Sequence, residues 1–438
     1  MIAKIIDKVK GIIGLKRLEE QLRQGEADII QMGQRVIDLQ RQMKVMRGEK
    51  IHLVFMCHRP QIWDSLKTLC EKCIEDDAFD VTIVTIPNKK QLPDLGLQHE
   101  NYISEGAEEY FKEYPCRVIP GYDYDTGEWI DLRSLHADYL FFQTPYDICR
   151  PPEYRASEVS KYTNLCWIHY GLCVIGGEVV ESSTPDYYLK YVKNVFIDAK
   201  QMMGFYKKQT EGSPLKNQQN LLWLGYPRLD NLADKMLRRN DSWCHADDKR
   251  VYKVLWLPRW CTEEGNCCFF DYKDRLVDFA GRQEDLEILV RPHPQMFSNF
   301  MATGEMSEQE IADYQKKIKE SRNIAFDREE DYWKAFATAD VVVADATSLL
   351  SEFFVTGKPI VYCHKEIDCF TGVGESIYQG FYVANNWEEL EGALGRLRTG
   401  EDPLKDAREK IIKEVYDIPE KGAAYEIKEY LKRQFYEI

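Results

Sequence analysis

Apolar and polar residues follow a pattern along the chain that predicts two sets of β-strands with helices between them. Short apolar runs rich in Val, Ile, Leu and aromatic residues are typical of strands that are buried on both faces. The first set falls at 51–56, 79–86, 139–143, 165–168, 194–197 and 221–224, and the second at 251–257, 286–290, 323–326, 341–344, 359–362 and 380–383. Helical patterns connect these runs, and the last two helices are predicted at 406–416 and 423–435. This alternation indicates an α/β fold with parallel sheets and crossover helices.

The polar and charged segment 230–250 divides the two sets of strands. We therefore expect an appendage over 1–48, a Rossmann-like doubly wound domain over 49–240, and a second such domain over 241–438 that ends with the closing helices. Two domains of this kind would place the carboxyl ends of their strands around a shared cleft, which suits a transferase with a nucleotide donor.

A heptad pattern runs through the front of the chain. Apolar residues recur there at alternating steps of three and four, interrupted by Gly25, at Leu15, Leu18, Leu22, Ile29, Met32, Val36, Leu39, Met43 and Met46. This narrow stripe predicts a coiled coil in which a second helix covers the a and d positions. A homo-oligomer through this seam is the preferred interpretation, and a helix packed on its own domain is the alternative.

The first 14 residues alternate apolar side chains with Lys4, Lys8 and Lys10. Such a basic amphipathic segment can lie on an anionic membrane surface, and docking on the protein itself is the alternative. No apolar run is long enough to cross a bilayer and no secretory signal is evident, so we expect a cytoplasmic protein, peripheral on the inner face of the cell membrane. The 13 cysteines are expected to stay reduced, with Cys70 and Cys73 as buried thiols rather than a metal or redox pair.

Composition and missing motifs exclude several classes of function. The chain has 438 residues with a net charge of −15, which argues against nucleic acid as a partner. Neither G-x-G-x-x-G after the first strand nor G-x-x-x-x-G-K-[ST] anywhere is present, so a nicotinamide oxidoreductase and a P-loop kinase are disfavoured. No cluster of metal ligands stands out, and the reaction is expected to need neither a metal ion nor another cofactor.

The strongest candidate for chemistry is Arg291-Pro-His293-Pro, at the end of the predicted strand 286–290. The prolines end the strand at the edge where a Rossmann-like sheet binds ligands. Arg291 offers a guanidinium to a phosphate, and His293 offers a hydrogen-bond donor or a proton carrier. A buried structural histidine is the alternative.

A second candidate follows the strand 341–344, where Asp345 precedes Thr347 and Ser348 at a predicted helix start. These hydroxyls can cap the helix, and together with free backbone amides they favour a phosphate. Capping alone would also explain both residues. Glu352, about one turn later, is placed either to reach ribose hydroxyls or to face solvent.

Two more histidines follow predicted strands of the first half, His58 after the first strand and His169 in Trp167-Ile-His-Tyr-Gly171. Either could face the cleft and deprotonate an acceptor hydroxyl, and each could equally be a satisfied histidine of a pocket wall. Arg228, in Gly225-Tyr-Pro-Arg228, lies where a strand passes into a helix opened by proline.

The order of these motifs resembles that of the CDP-glycerol glycerophosphotransferase family of teichoic-acid and capsule polymerases. The motifs are, in order, Gly225-Tyr-Pro-Arg-x-Asp230, Val254-Leu-Trp-Leu-Pro258, Arg291-Pro-His-Pro294, Asp345-x-Thr-Ser348 and Thr356-Gly-Lys-Pro359. The likeness covers about residues 220–365 well and the first half only loosely. It implies a GT-B type fold, with the acceptor on the first domain and the nucleotide donor on the second.

The resemblance implies transfer of glycerol phosphate, or a related polyol phosphate, from a CDP-activated donor to a hydroxyl of a glycan or lipid-linked acceptor, with release of CMP. Arg291 and His293 would hold the donor pyrophosphate, and the remaining expected donor-site residues are Asp345, Thr347, Ser348, Glu352 and Arg228. The candidates for catalysis are His169, His293 and His58.

Two departures from the family pattern bear on the mechanism. The acceptor-side motif, often Trp-His-Gly-Thr, is replaced by Trp167-Ile-His-Tyr-Gly171, and Asp-Tyr-Ser-Ser by Asp345-Ala-Thr-Ser348. The general base and the head group of the donor are therefore left open. A glycosyltransferase that uses a nucleotide sugar and a non-catalytic coiled-coil scaffold are the alternative functions.

Overall fold

The computed structural model describes residues 2–89, 102–172, 176, 178–263, 265–365 and 370–437, with the side chains of 2–15 and 178–179 left aside. Its strands are β1 (Ile51–Cys57), β2 (Phe79–Thr85), β3 (Asn88–Lys89), β4 (Tyr102–Ile103), β5 (Arg117–Pro120), β6 (Tyr139–Phe142), β7 (Asn164–Ile168), β8 (Asn194–Phe196), β9 (Asn220–Leu222), β10 (Tyr252–Leu257), β11 (Leu286–Val290), β12 (Ile324–Phe326), β13 (Val341–Ala344), β14 (Ile360–Cys363) and β15 (Tyr382–Ala384). Its α-helices are α1 (Ile2–Arg47), α2 (Asp64–Ile74), α3 (Ala107–Phe111), α4 (Ala156–Val159), α5 (Glu178–Ser183), α6 (Asp186–Leu189), α7 (Met203–Gln209), α8 (Leu232–Lys235), α9 (Phe269–Gly281), α10 (Met296–Ala302), α11 (Glu308–Lys319), α12 (Tyr332–Thr338), α13 (Leu349–Phe354), α14 (Val373–Tyr378), α15 (Trp387–Arg398), α16 (Lys405–Val415) and α17 (Ala423–Tyr436).

The contacts divide the chain into two compact units. The first contains 1–171, 181–228 and 419–438, and the second contains 172–180 and 229–418. The sequence boundary was expected near residue 240, and the chain was expected to finish in the second domain. The end of the chain instead belongs to the first unit, where Lys428 forms an ion pair with Asp76 at 2.7 Å.

The first unit contains a seven-stranded parallel sheet in the order β5-β2-β1-β6-β7-β8-β9. Its central strands are buried on both faces, with Leu53, Phe55 and Phe141 fully inaccessible to solvent. The order reverses direction between β1 and β6, so the carboxyl ends of these two strands form the switch point at which doubly wound sheets bind ligands.

The second unit contains a six-stranded parallel sheet in the order β12-β11-β10-β13-β14-β15. Numbered within the unit, this is the 3-2-1-4-5-6 order of the Rossmann fold, with its switch point between β10 and β13. An apolar core on one face of the sheet joins Val254 and Val290 to Phe269 and Trp387 of the covering helices.

The two predicted sets of strands are confirmed, each to within one or two residues at its ends. The short β5 and the hairpin of β3 with β4 were not predicted, because a four-residue edge strand and two-residue strands give almost no periodic signal. Cys70 and Cys73 are buried in α2, as expected. Within the part of the chain that the structure describes, no helix is long and apolar enough to cross a membrane.

The helix α1 covers the predicted heptad region and packs on the first unit with one of its faces. Ile30 and Gln34 are buried, and the Gln34 amide donates to the Ser160 carbonyl at 3.0 Å. A Cβ at Gly33 would come within 2.1 Å of the Lys161 carbonyl oxygen, so only glycine permits this close approach. The helix therefore does pack on its own domain, which was the alternative interpretation, but through a face other than the heptad stripe.

Candidate functional site

The switch point of the second sheet holds a buried guanidinium and a buried carboxylate. Arg259 follows β10 after a proline, and Asp345 immediately follows the neighbouring β13. The two side chains are 8% and 2% exposed, so their charges act at low local dielectric. The Arg259 guanidinium donates to the Ala346 carbonyl, which ties the two strand ends together.

Asp345 acts as an anchor for this edge of the sheet. One carboxylate oxygen accepts from the Cys268 amide at 2.9 Å, just before α9. Burial raises the pKa of Asp345 to about 6, partly offset by that hydrogen bond and by Arg259. The carboxylate thus holds both the turn before α9 and the neighbouring Arg259 in place. Protonation of Asp345 near pH 6 would weaken its contacts with the Cys268 amide and with Arg259.

His293 lies one strand away, after β11, and packs against Trp260 with 5.8 Å between ring centroids. Its Nδ1 accepts from the Gln295 amide at 3.2 Å, so the neutral ring carries its proton on Nε2. Burial and the positive charge of Arg259 lower the pKa of His293. The imidazole is therefore neutral at physiological pH and supplies one hydrogen-bond donor beside a fixed cation.

The guanidinium of Arg291 is engaged within the protein. Its guanidinium forms an ion pair with the fully buried carboxylate of Asp327 at 2.5 Å and donates to the carbonyls of Glu329 and Glu330. Both of its terminal nitrogens are thus engaged within the protein, where they tie β11 to the loop after β12. The residue braces the strand end that presents His293.

The loop after β13 was expected to present the hydroxyls of Thr347 and Ser348 and the carboxylate of Glu352, and the structure places these three groups differently from one another. The Thr347 hydroxyl accepts from the Leu349 amide at 3.4 Å. Ser348 is the N-cap of α13 but makes no side-chain capping bond, and it is exposed. Glu352 neither reaches the surface nor stays available for a ribose, because it is 1% exposed and accepts from the Tyr332 hydroxyl. Ser348 is therefore the residue of the Asp345-Ala-Thr-Ser348 motif that is exposed to solvent.

In the first unit, His58 lies at the switch point of the sheet, at the end of β1. Gln143, at the end of β6, accepts from the amides of His58 and Arg59 at 2.7 and 3.0 Å and donates to the Arg59 carbonyl. Burial lowers the pKa of His58 to about 4. The amide clamp holds this turn rigidly, and the imidazole stays uncharged.

His169 follows β7 and is also buried, at 4% exposure. The main chain of Gly171 holds its Nδ1, and the ring stacks on Tyr170 with 4.8 Å between centroids. Burial lowers the pKa of His169, so the ring is neutral at physiological pH. Its strand is two places along the sheet from that of His58, with β6 between them.

The Gly225-Tyr-Pro-Arg228 motif supports the turn that carries His169. The Tyr226 hydroxyl donates to the His169 carbonyl at 3.0 Å, and Arg228 donates to the Tyr170 carbonyl at 2.6 Å. Gly225 has φ +88, and a Cβ there would lie 2.7 Å from the Pro419 ring. The motif therefore joins the end of the chain to the turn that carries His169.

Sequence reasoning missed Arg259 and Gln143. Leu257-Pro-Arg259 repeats the strand-proline-polar arrangement of the Arg291 motif, and this repetition was the available signal. The sequence gives no such signal for Gln143, because a glutamine after an apolar run is common on protein surfaces. Among the described residues, no group of three or more His, Cys, Asp or Glu side chains is arranged to hold a metal ion.

Comparison with known proteins places these features in a family. Residues 208–393 match the family described as CDP-Glycerol:Poly(glycerophosphate) glycerophosphotransferase. This range contains Arg259, His293, Asp345 and Ser348, together with the motif that supports His169. No curated protein matches the chain.

Solved structures with the same fold are much less similar in sequence. The wall teichoic acid polymerase TagF has 12% identity and a TM-score of 0.52, covering 96% of this chain and 98% of that one. UDP-GlcNAc 2-epimerase from Neisseria meningitidis, bound to UDP-GlcNAc, has 11% identity and a TM-score of 0.54, covering 88% and 100%. S. aureus MnaA with UDP has 10% identity and a TM-score of 0.53, covering 89% and 98%. These likenesses show a GT-B-like α/β fold.

The resemblance seen in the sequence motifs is thereby confirmed. Over residues 208–393 the chain is similar to the CDP-glycerol:poly(glycerophosphate) glycerophosphotransferase family, and it is a glycerophosphotransferase-like enzyme.

Proposed function

We propose that the protein transfers glycerol phosphate, or a closely related polyol phosphate, from a CDP-activated donor to a hydroxyl of a teichoic-acid-like polymer and releases CMP. One observation carries the proposal. A buried arginine lies at the switch point of the second sheet and a neutral histidine at the end of the adjacent strand, both inside the residues that match the family.

The donor pyrophosphate is bound at this edge of the second sheet. Arg259 supplies positive charge, Nε2–H of His293 donates to a phosphate oxygen, and the exposed Ser348 hydroxyl adds a further donor. Because the imidazole is kept neutral, it donates a hydrogen bond without releasing a proton to the leaving CMP. Fixed donors of this kind stabilise the charge that develops on the phosphate oxygens in the transition state.

The reaction replaces one phosphate bond by another. The acceptor oxygen attacks the distal phosphorus of the donor, the bond from that phosphorus to the oxygen of the CMP phosphate breaks, and CMP leaves with the electron pair. The proton of the acceptor hydroxyl passes to a base. We assign this base to His169, because the family motif around Tyr226 and Arg228 holds its turn in place.

His58 is the weaker candidate for the base. Burial lowers its pKa, as it lowers that of His169, but its turn is held by Gln143 and not by the family motif around Tyr226 and Arg228. A structural role at the switch point of the first sheet accounts for its burial.

Donor binding and product formation test the function. Purified protein is titrated with CDP-glycerol, CMP, UDP and UDP-sugars by calorimetry, with His293→Ala and Arg259→Gln as variants and Arg250→Gln as a fully exposed control. We expect selective binding of the cytidine ligands, weakened at least 10-fold in both variants and unchanged in the control. Each hydrogen bond from a charged or polar donor to a phosphate contributes about 1.5–3 kcal/mol.

A glycosyltransferase is the competing activity, because proteins of similar fold have been solved with UDP and with UDP-GlcNAc bound. Incubation with a polyol or glycan acceptor and radiolabelled donor distinguishes the two. Incorporation of label from CDP-glycerol with stoichiometric CMP supports the proposal, whereas selective binding of UDP ligands with sugar transfer contradicts it.

The protein is further proposed to work at the cytoplasmic face of the cell membrane. The support is the alternation of apolar residues with Lys4, Lys8 and Lys10 in the first turns of α1. Deletion of residues 1–14 should abolish sedimentation with anionic liposomes, and Lys4→Gln with Lys8→Gln should weaken it in a salt-dependent manner. Unchanged liposome binding after the deletion would refute this location signal.

A further inference from the structure

An apolar stripe on α1 faces solvent. It consists of eight side chains, here called the heptad face, each between 46% and 77% exposed: Leu18, Leu22, Ile29, Met32, Val36, Leu39, Met43 and Met46. Large apolar side chains exposed singly are ordinary, but a row of eight along one helix, broken at Gly25, is typical of an interaction surface. The feature is independent of the transfer reaction.

The helix cannot turn this face inward, because its opposite side is anchored. Ile30 and Ile37 are buried, Gln34 accepts from Lys193 at 2.9 Å, and Lys44 forms an ion pair with Asp138 at 2.8 Å. The heptad face is therefore fixed on the outside of the first unit while the rest of the helix is part of its structure.

The spacing of the heptad face suits another helix better than a membrane. Its residues occupy only the a and d positions, which gives a stripe of two positions in seven. A helix that lies in a lipid interface needs a broader apolar face and a predominantly basic polar face. The charged residues at the positions that flank the stripe are Glu19, Glu26 and Asp28 against Arg35 and Arg47, so the flanks lack the basic excess that an anionic surface favours.

We propose that the heptad face binds the heptad face of a second copy of this chain, as an antiparallel two-stranded coiled coil. In the register that places Ile29 opposite Met32 of the second copy, each a position of one helix lies opposite a d position of the other. Asp28 then lies beside Arg35 of the second copy, twice by symmetry, so the flanking charges are complementary. A parallel pairing places Asp28 beside Gly33 and leaves these charges unmatched.

Packing within the seam favours the same register. Gly25 interrupts the heptad face, and in a parallel dimer it would meet its own copy and leave a gap. In the antiparallel register Val36 of the second copy lies opposite Gly25, so a branched side chain fills that position, twice by symmetry.

The size of the heptad face is in the range of a small dimer interface. A fully buried Leu, Ile or Met side chain removes roughly 60–120 Å² from water, so eight of them, each 46–77% exposed, offer roughly 300–570 Å² on each copy. Flanking polar residues add to this area, toward the ~800 Å² per partner of a standard interface.

The first experiment measures the mass of the full-length protein by sedimentation equilibrium at micromolar concentration. We expect a dimer, and we expect Leu22→Lys with Leu39→Lys to raise the dimer dissociation constant at least 100-fold. Both side chains are exposed, so the variant should keep its circular dichroism spectrum and its Tm. The matched control, Glu20→Lys with Gln24→Lys, adds two lysines outside the heptad face and should remain dimeric.

The outcome that overturns the proposal is a monomeric wild-type protein, or an oligomer that the two lysines leave unchanged. Anionic liposomes added to the same variants test the membrane alternative. If the wild-type protein is monomeric and binds these liposomes, and the Leu22→Lys, Leu39→Lys variant does not bind them, the heptad face contacts lipid and the dimer is refuted.

A charge exchange tests the register. Asp28→Arg and Arg35→Asp, each alone, should raise the dissociation constant about 5- to 10-fold, because each places like charges together. The double variant with both substitutions should have a dissociation constant within about twofold of the wild-type value. A parallel coiled coil would leave the single variants unaffected, which would overturn the antiparallel register but not the dimer itself.

Discussion

The two parallel sheets share one strand order but differ in what lies at their switch points. In the first sheet, between β1 and β6, a glutamine clamps the backbone beside His58, a neutral buried histidine. In the second sheet, between β10 and β13, an arginine and a carboxylate are buried together. The same topology thus presents a neutral histidine beside an ion pair, Arg59 with Glu105, in one unit and a buried arginine beside a buried carboxylate in the other.

This difference indicates a division of labour. A fixed cation beside a neutral hydrogen-bond donor suits a pyrophosphate, whose charge is present before the reaction and grows during it. Neutral histidines suit an acceptor hydroxyl, which must be deprotonated without strong attraction for anions. Substitutions in the two units should therefore affect different steps.

The largest expected effect is on the chemical step. His169→Asn should lower kcat by about 10²–10⁴-fold while leaving CDP-glycerol affinity within about threefold, because the lost group accepts the proton and does not bind the donor. Steady-state kinetics and calorimetry on the same preparation check this, with a thermal melt to establish folding. An equal fall in donor affinity would place His169 in the donor site.

The next effect separates the two arginines of the second unit. Arg291→Met should lower the free energy of unfolding by about 3–4 kcal/mol, because Asp327 would stay buried without its cation. Urea denaturation measures this change, and Arg259→Gln provides the contrast, with donor affinity as its main loss. If Arg291→Met instead removed donor binding at unchanged stability, Arg291 would be a pyrophosphate ligand as the family resemblance implies.

His58 allows a test through pH. Its pKa is about 4 in the folded protein against 6.5 ordinarily, so between these values the unfolded chain binds a proton that the folded chain does not. Stability should therefore rise with pH across this window, by about 3 kcal/mol in total from this group. His58→Gln should remove that part of the slope in urea denaturation at pH 4.5 and pH 7. An identical slope in the variant would show that His58 is not the group responsible.

The smallest expected effect concerns Ser348. Ser348→Ala should weaken CDP-glycerol binding about 3- to 10-fold, about 1 kcal/mol, and leave Tm unchanged, because the hydroxyl makes no capping bond. Thr347→Val serves as a neighbouring comparison. A fall in Tm without a change in affinity would mean that the hydroxyl stabilises the helix start rather than the donor.

Prediction from sequence worked where a local pattern was sufficient. Buried strands are continuous apolar runs whatever their neighbours, so β10, β11 and β13 were predicted with nearly correct ends. The strand-end positions of His58, His169 and His293 followed from the same runs. The edge strand β5 was missed because its residues 117–120 are only partly buried and mix polar with apolar side chains.

Side-chain roles were less predictable because they depend on partners distant in the chain. Arg259 bonds to a carbonyl 87 residues away, and Arg291 pairs with a carboxylate 36 residues away. In the sequence both are arginines near a proline after a strand, and nothing local distinguishes a phosphate ligand from a structural brace. Glu352 likewise gave no sign of its partner Tyr332.

The amino-acid sequence by itself determined the two α/β halves, the strand-end motifs, their order and hence the family, because each depends on residues close together in the chain. It also determined the heptad stripe. Only the tertiary structure decided which side of α1 is buried, that the last helix returns to the first sheet, and which guanidinium accompanies His293. These outcomes depend on long-range packing, in which burial and charge pairing select one arrangement among several that the local pattern permits.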